Sequence, residues 1–144
     1  MARKRPPEID DRLQRAVRRR AGNRCEYCHL PAGVHGTPFE IEHIIPRQHG
    51  GLTALSNLAF SCLRCNRRKG PNLSGILKIG GRARIIPLFH PRRHRWHRHF
   101  RWNGPFLLGK TPVGRVTIQV LAINDPLRVA VRQALMEDGR LGEP

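Results

Sequence analysis

Cys25-Glu26-Tyr27-Cys28, Ile41-Glu42-His43-Ile44-Ile45-Pro46-Arg47-Gln48-His49-Gly50-Gly51, Ser56-Asn57-Leu58 and Cys62-Leu63-Arg64-Cys65-Asn66-Arg67-Arg68-Lys69-Gly70 carry most of the structural information in this chain. The four cysteines form two C-x-x-C pairs and are the only cysteines present. Each such turn offers two sulfurs from one knuckle, and two knuckles complete the tetrahedral shell of a structural zinc. Two disulfides would suit a secreted protein, but the opening MARKRPPEIDDR lacks the apolar segment of a secretory signal. Residues 29–61 separate the pairs, which is longer than a simple zinc ribbon needs. A folded insertion between the knuckles is therefore expected.

Outward from the knuckles, Leu13, Ala16 and Val17 follow helical spacing, and Asp10 or Asp11 can cap a helix ending near Arg20. Pro31, Gly33, Gly36 and Pro38 mark residues 29–38 as a turn or hairpin tip. His29 and His35 read as solvent-exposed there. Phe39 to Ile45 reads as a short strand, and Pro46 to Thr53 as a loop, where His49 is either a substrate contact or a turn residue. Cys62 to Lys69 begins a helix that Gly70-Pro71 stops. Beyond it, Ile85-Ile86 and Leu88-Phe89 are short apolar pairs that suit strand fragments. Thr111-Pro112 opens a helix carrying Val113, Val116 and Val120, and Asn124-Asp125-Pro126 opens another that runs to about Gly139. No internal repeat is visible. The expected organisation is a basic arm and short helix over 1–20, a core over 21–75 and a basic extension over 76–144.

Composition narrows the partners. The chain has 144 residues, with 27 Lys and Arg against 10 Asp and Glu, for a formal charge of +17. Between Glu42 and Asp125 there is no acid, while fifteen Lys or Arg occur. Such a surface attracts phosphate, so nucleic acid is the expected partner. No apolar run approaches the ~20 residues of a membrane helix, so no membrane partner is expected. A cytoplasmic, DNA-associated protein fits this pattern, whether monomer or dimer.

Glu42, His43, Asn57 and Asn66 lie between or beside the knuckles. Phosphodiester hydrolysis needs a base for water, positive charge for the phosphate and help for the leaving oxygen. His43 titrates near neutrality and suits the base. Glu42 and Asn66 offer hard oxygens suited to Mg²⁺. Asn66 directly follows a cysteine that zinc would fix. Of the acids close in sequence (Glu26, Glu40 and Glu42), only Glu42 adjoins a histidine. Blander readings stand beside these: a hydrogen-bonded strand histidine, a helix-capping Asn57 and a surface Asn66.

The run C-E-Y-C, I-E-H-I-I-P-R-Q-H-G-G, S-N-L, C-L-R-C-N-R-R-K-G resembles the HNH endonuclease family, in its zinc-containing branch with four cysteines. The resemblance covers residues 21–71. It implies an α+β protein with a ββα-metal core stabilised by a four-cysteine zinc site, here followed by a basic extension ending in helices. It also implies metal-dependent DNA cleavage. His43 would be the general base, and Asn57 would brace the loop that holds it. Glu42 and Asn66 would hold the catalytic metal, and Lys69 would touch phosphate. Asn66 stands where the family usually has His. An amide oxygen is harder than an imidazole nitrogen, which favours Mg²⁺ or Mn²⁺. Two alternatives remain open: a zinc-knuckle DNA-binding module without catalysis, and an RNA-directed nuclease.

The segment His90 to Trp102 holds five Arg, four His and three aromatic residues. Arg pairs with phosphate and aromatic rings stack on bases, so Arg92, Arg93, Arg95, Arg98 and Arg101 join Arg67, Arg68 and Lys69 as candidate DNA contacts. A second reading packs Trp96, Phe100 and Trp102 into a core and leaves Arg outside. A third gathers His94, His97 and His99 around a second metal.

Overall fold

The structure, a computed structural model, describes residues 9–34 and 36–141. The expected N-terminal arm falls almost wholly outside these residues, and so does His35.

The first helix, α1 (Asp11–Arg20), begins where Asp10 Oδ1 accepts the Leu13 N–H at 2.8 Å. That bond satisfies one of the orphan donors of the first turn. The helix buries Val17 against Leu58 and Phe60 in a small cluster. Arg20 then donates to the carbonyls of Leu55 and Leu58 at 2.8 and 2.7 Å, which ties α1 to the turn over Leu55–Asn57 and the residue after it. Strands β1 (Glu40–His43) and β2 (Leu58–Ser61) pair antiparallel, with His43 opposite Leu58. The strand expected over 39–45 is thus shorter. Beyond His43 the chain bends, and Ile44 N–H donates to the Asn57 carbonyl at 2.8 Å. Helix α2 (Leu63–Lys69) follows directly, with the Cys62 sulfur accepting from Cys65 N–H at its start. The β1–β2–α2 unit is the ββα core anticipated from sequence.

The Gly- and Arg-rich segment after residue 72 is more regular than its composition suggests. Strands β3 (Ser74–Ile79) and β4 (Arg82–Pro87) form a hairpin. Its two-residue turn, Gly80-Gly81, has φ of 58° and 78°, the conformation such tight turns require. A one-turn helix, α3 (Trp96–His99), leads into a second hairpin, β5 (Phe100–Asn103) with β6 (Phe106–Gly109). Helices α4 (Pro112–Val120) and α5 (Pro126–Glu137) start as expected at Thr111 and Asp125, each with proline in its first turn. Ile85 and Ile86 lie in β4, whereas Leu88 and Phe89 lie past its end and enter the core.

One buried cluster joins the four cysteines to Phe89, Trp96, Phe100, Val116 and Leu121. The extension therefore packs on the zinc knuckles. Trp96 is 9% and Phe100 1% exposed, and Trp102 lies partly buried against the cluster. Arg93, Arg95, Arg98 and Arg101 face solvent. Within residues 90–102 the aromatic rings thus face inward and these four arginines outward, whereas Arg92 turns in to Glu26. No helix of the described residues is long and apolar enough to cross a membrane.

Candidate nuclease site beside a four-cysteine centre

Cys25, Cys28, Cys62 and Cys65 lie fully inside the protein, and their sulfurs all fall within 4.8 Å of one another. The first knuckle is held by Cys25 N–H to the Leu30 carbonyl and His29 N–H to the Cys25 carbonyl, each 2.9 Å. The second is the start of α2. Four soft sulfurs converging this closely suit zinc. Among the described residues this is the only group of three or more His, Cys, Asp or Glu placed to hold a metal. His94, His97 and His99 do not form a second one. His94 Nδ1 instead accepts from His90 N–H at 2.9 Å, and His99 Nδ1 lies 2.6 Å from Thr111 Oγ1.

A residue from the far end of the chain completes the cysteine centre. Arg128, on α5, donates to Cys65 Sγ at 3.0 Å and lies 3.9 Å from Cys62 Sγ. Its other terminal nitrogen donates to the Leu121 carbonyl at 2.7 Å. Burial alone would depress its pKa. The cysteines, Cys65 foremost, outweigh that and raise it above the usual arginine value. A tetrathiolate zinc centre carries net negative charge, and Arg128 supplies the compensating cation. Arg128→Ala is expected to weaken zinc retention about 10–100-fold, as loss of an outer-shell partner does. Competition with a chromogenic chelator measures this. Arg128→Lys should recover only part, because an ammonium cannot reproduce the planar fork.

The four residues anticipated for chemistry fall on the β1–β2–α2 unit. Asn57 is 7% exposed and makes three side-chain hydrogen bonds. Its Oδ1 accepts from Ile45 N–H at 2.9 Å, and its Nδ2 donates to the Ile45 and Leu52 carbonyls at 3.0 and 2.9 Å. It clamps both ends of the loop after β1. Gly51 sits inside that clamp, where a Cβ would fall 1.6 Å from the Ile45 carbonyl oxygen and 2.8 Å from Asn57 Nδ2. Gly51→Ala is expected to cost about 3 kcal/mol, the upper end for forced overpacking, read from urea unfolding of the zinc-loaded protein. Within this loop His49 is exposed, in a single 3₁₀ turn over Arg47–His49.

His43 stands at the end of β1, partly exposed, with Nε2 2.9 Å from Thr53 Oγ1. Arg47 Nε donates to the same nitrogen at 3.3 Å, so Nε2 is the ring's acceptor. Burial, and then the charge of Arg47, hold the His43 pKa below the usual imidazole value. The ring is therefore neutral at pH 7 and can take a proton.

Glu42 points inward, as strand alternation demands of a neighbour of His43. It is 6% exposed. Its Oε1 accepts from the Tyr27 hydroxyl, and its Oε2 faces Lys69 Nζ at 3.6 Å. Burial raises the Glu42 pKa to about 7, partly offset by Lys69 and Tyr27. Lys69 is only 2% exposed and donates to the Ile44 carbonyl at 2.8 Å. It is turned inward toward Glu42 rather than outward toward a phosphate, because the helix places it over β1. Arg92 likewise departs from the expected contact set. It pairs with Glu26, which also accepts from Phe60 N–H at 2.8 Å. Arg67 and Arg68 are exposed on α2.

Glu40 has no adjacent histidine to mark it in the sequence, yet it meets Asn66, whose Nδ2 donates to Glu40 Oε2. The usable signal was periodicity. Glu40 and Glu42 share one face of β1, and Asn66 and Lys69 share one face of α2 a turn later, so the four pair in register.

The fold and this site define a ββα unit beside a four-cysteine centre able to hold a metal such as zinc. Residues 25–72, a third of the chain, match the family described as HNH endonuclease. The chain is also similar to the Septu protein PtuB of Bacillus thuringiensis, at 25% identity over 126 residues. That similarity covers 86% of this chain and 46% of the relative, so the chain spans less than half of the relative's length. No solved structure matches the chain.

Proposed function

We propose that the protein is a metal-dependent DNA endonuclease with His43 as its general base. The observation that carries this reading is the neutral, partly exposed His43 at the end of a strand whose following loop Asn57 clamps by three hydrogen bonds. An otherwise solvated histidine gains nothing from such bracing, whereas a base must hold its lone pair in place. His43 takes a proton from water, which replaces Arg47 as the donor to its Nε2. The resulting hydroxide attacks phosphorus in line, the bond to the 3′ oxygen breaks, and that oxygen takes a proton from solvent water while His43 returns its own to solvent. The products are a 5′-phosphate and a 3′-hydroxyl.

Hard oxygen donors are available for a divalent ion. Glu42 Oε2 has only the ion pair with Lys69, and Asn66 Oδ1 accepts no hydrogen bond from a described residue. Glu42 and Asn66 would hold Mg²⁺ or Mn²⁺, which supplies positive charge beside the phosphate. Glu40 orients the Asn66 amide, turning its nitrogen toward itself and its oxygen away. Lys69 neutralises Glu42 within the site. The exposed Arg67, Arg68, Arg93, Arg95, Arg98 and Arg101 would contact DNA phosphates.

The test is supercoiled-plasmid cleavage in Mg²⁺ or Mn²⁺ by zinc-loaded protein. Cleavage that requires the added ion supports the reading. DNA binding without cleavage at any ion concentration would replace it with a zinc-knuckle binding module. Preferential loss of an RNA substrate would redirect it to RNA.

A further inference from the structure

A cavity of about 410 Å³ opens beside the first knuckle, and no residue of β1, the clamped loop or α2 lines it. Its aromatic wall is held rigidly. Trp96 Nε1 donates to the Tyr27 carbonyl at 2.9 Å, which fixes that ring. His29 stacks on it, with centroids 3.8 Å apart and planes within 20°. Trp102 lies 6.1 Å from Trp96 and is backed by the Arg132 guanidinium at 5.6 Å. Phe100 continues the wall. Arg24, Arg101 and Lys110 stand exposed at the cavity. Arg101 has no side-chain hydrogen bond or ion pair to a described residue. Every described lining residue is neutral or basic.

This combination selects its ligand. A preorganised aromatic wall takes a flat, polarisable ring, and the exposed cations beside it, Arg24 and Lys110 bonded among the described residues only to the His29 and His97 carbonyls, take an anion. A simple anion would leave the rings unused, and an aromatic hydrocarbon would leave the cations unused. We propose that the cavity is a nucleotide pocket, which receives one unpaired base together with its phosphate. Its geometry is separate from the His43 site. As a subsite of the proposed nuclease, it would favour DNA carrying a single-stranded or distorted stretch over plain duplex. A free mononucleotide offers the same base and phosphate, so the two sources are separated experimentally.

Intrinsic fluorescence reads the cavity directly, because both tryptophans of the chain line it. The assay uses the full-length, zinc-loaded His43→Ala protein without added divalent ion, so cleavage plays no part. The titrants are AMP, a 5′-phosphorylated oligothymidylate, and a blunt duplex of the same length. The oligothymidylate is expected to quench and to bind tighter than the duplex. Arg101→Glu with Lys110→Glu should weaken it at least about tenfold, the scale of one stacked and paired nucleotide. Arg82→Glu with Arg84→Glu, an equal charge change on exposed β4, should weaken it by less than about threefold, as a screened surface effect. His29→Asn, a residue that tolerates the φ of 60° found there, should weaken quenching without altering net charge. Saturable quenching by AMP equal to that of the oligonucleotide would assign the pocket to free nucleotides. Absence of quenching by all three titrants, or equal losses from the two double variants, would overturn the proposal. Plasmid cleavage by the wild type is scored separately, so either result can fail while the other stands.

Discussion

Removing zinc with a chelator, or replacing Cys65 by serine, is expected to abolish cooperative unfolding and the near-ultraviolet signal of the aromatic core. The magnitude follows from the comparison of two quantities. Structural zinc in small domains contributes about 10–16 kcal/mol. The whole stability of a typical domain is only about 5–15 kcal/mol. The four sulfurs here are not peripheral to the core: they share one buried cluster with Phe89, Trp96, Phe100 and Leu121. Without metal, burial pushes the Cys25 and Cys65 thiols well above their usual pKa. Meanwhile Cys28 is held down, chiefly by hydrogen bonds from Cys25 and the other thiols. An apo core would thus bury thiols with mismatched protonation and leave Arg128 without a full countercharge. Circular dichroism with zinc quantification checks this. A zinc-free protein that still melts in one sharp transition would show that the aromatic cluster suffices.

His43→Ala is expected to lower plasmid cleavage by roughly 10²–10⁴, the usual worth of a general base, with zinc content and duplex affinity unchanged. The separation is favourable because His43 is partly exposed and its hydrogen-bond partners, Thr53 and Arg47, are also accessible to water. Removing the ring leaves no buried partner stranded, so the effect should lie in the rate rather than in folding. Asn57 is the contrasting case. Its truncation would orphan the Ile45 N–H beside a buried segment, and so lower stability and rate together. Wild-type cleavage by a zinc-loaded His43→Ala protein would remove His43 from the mechanism.

The parts of this molecule legible in the sequence are those governed by local chemistry. Cysteine spacing announced the knuckles, Asp10, Thr111 and Asp125 announced helix starts, and the β-branched run around Ile41 announced β1. The two later hairpins were harder to see. β3 alternates in burial, but its sequence Ser-Gly-Ile-Leu-Lys-Ile does not alternate in polarity, and β4 is exposed at every position but Ile86. Only Gly80-Gly81 hints at the turn. Charge was the least reliable guide at single residues. Lys69 and Arg92 look in the sequence like any other basic residue, yet partners brought by the fold, Glu42 and Glu26, claim them. Arg128 could not be linked to the cysteines at all, since it lies 63 residues beyond Cys65.

That separation also sets an order of events during synthesis. Both knuckles emerge long before α5, so the cysteine quartet can close around its metal while the arginine that balances it is still unmade. During this interval the centre carries uncompensated charge, even after Phe89, Trp96 and Phe100 have emerged to cover it. Docking of α5 then seals it, which makes this later-translated helix a latch on a metal captured early.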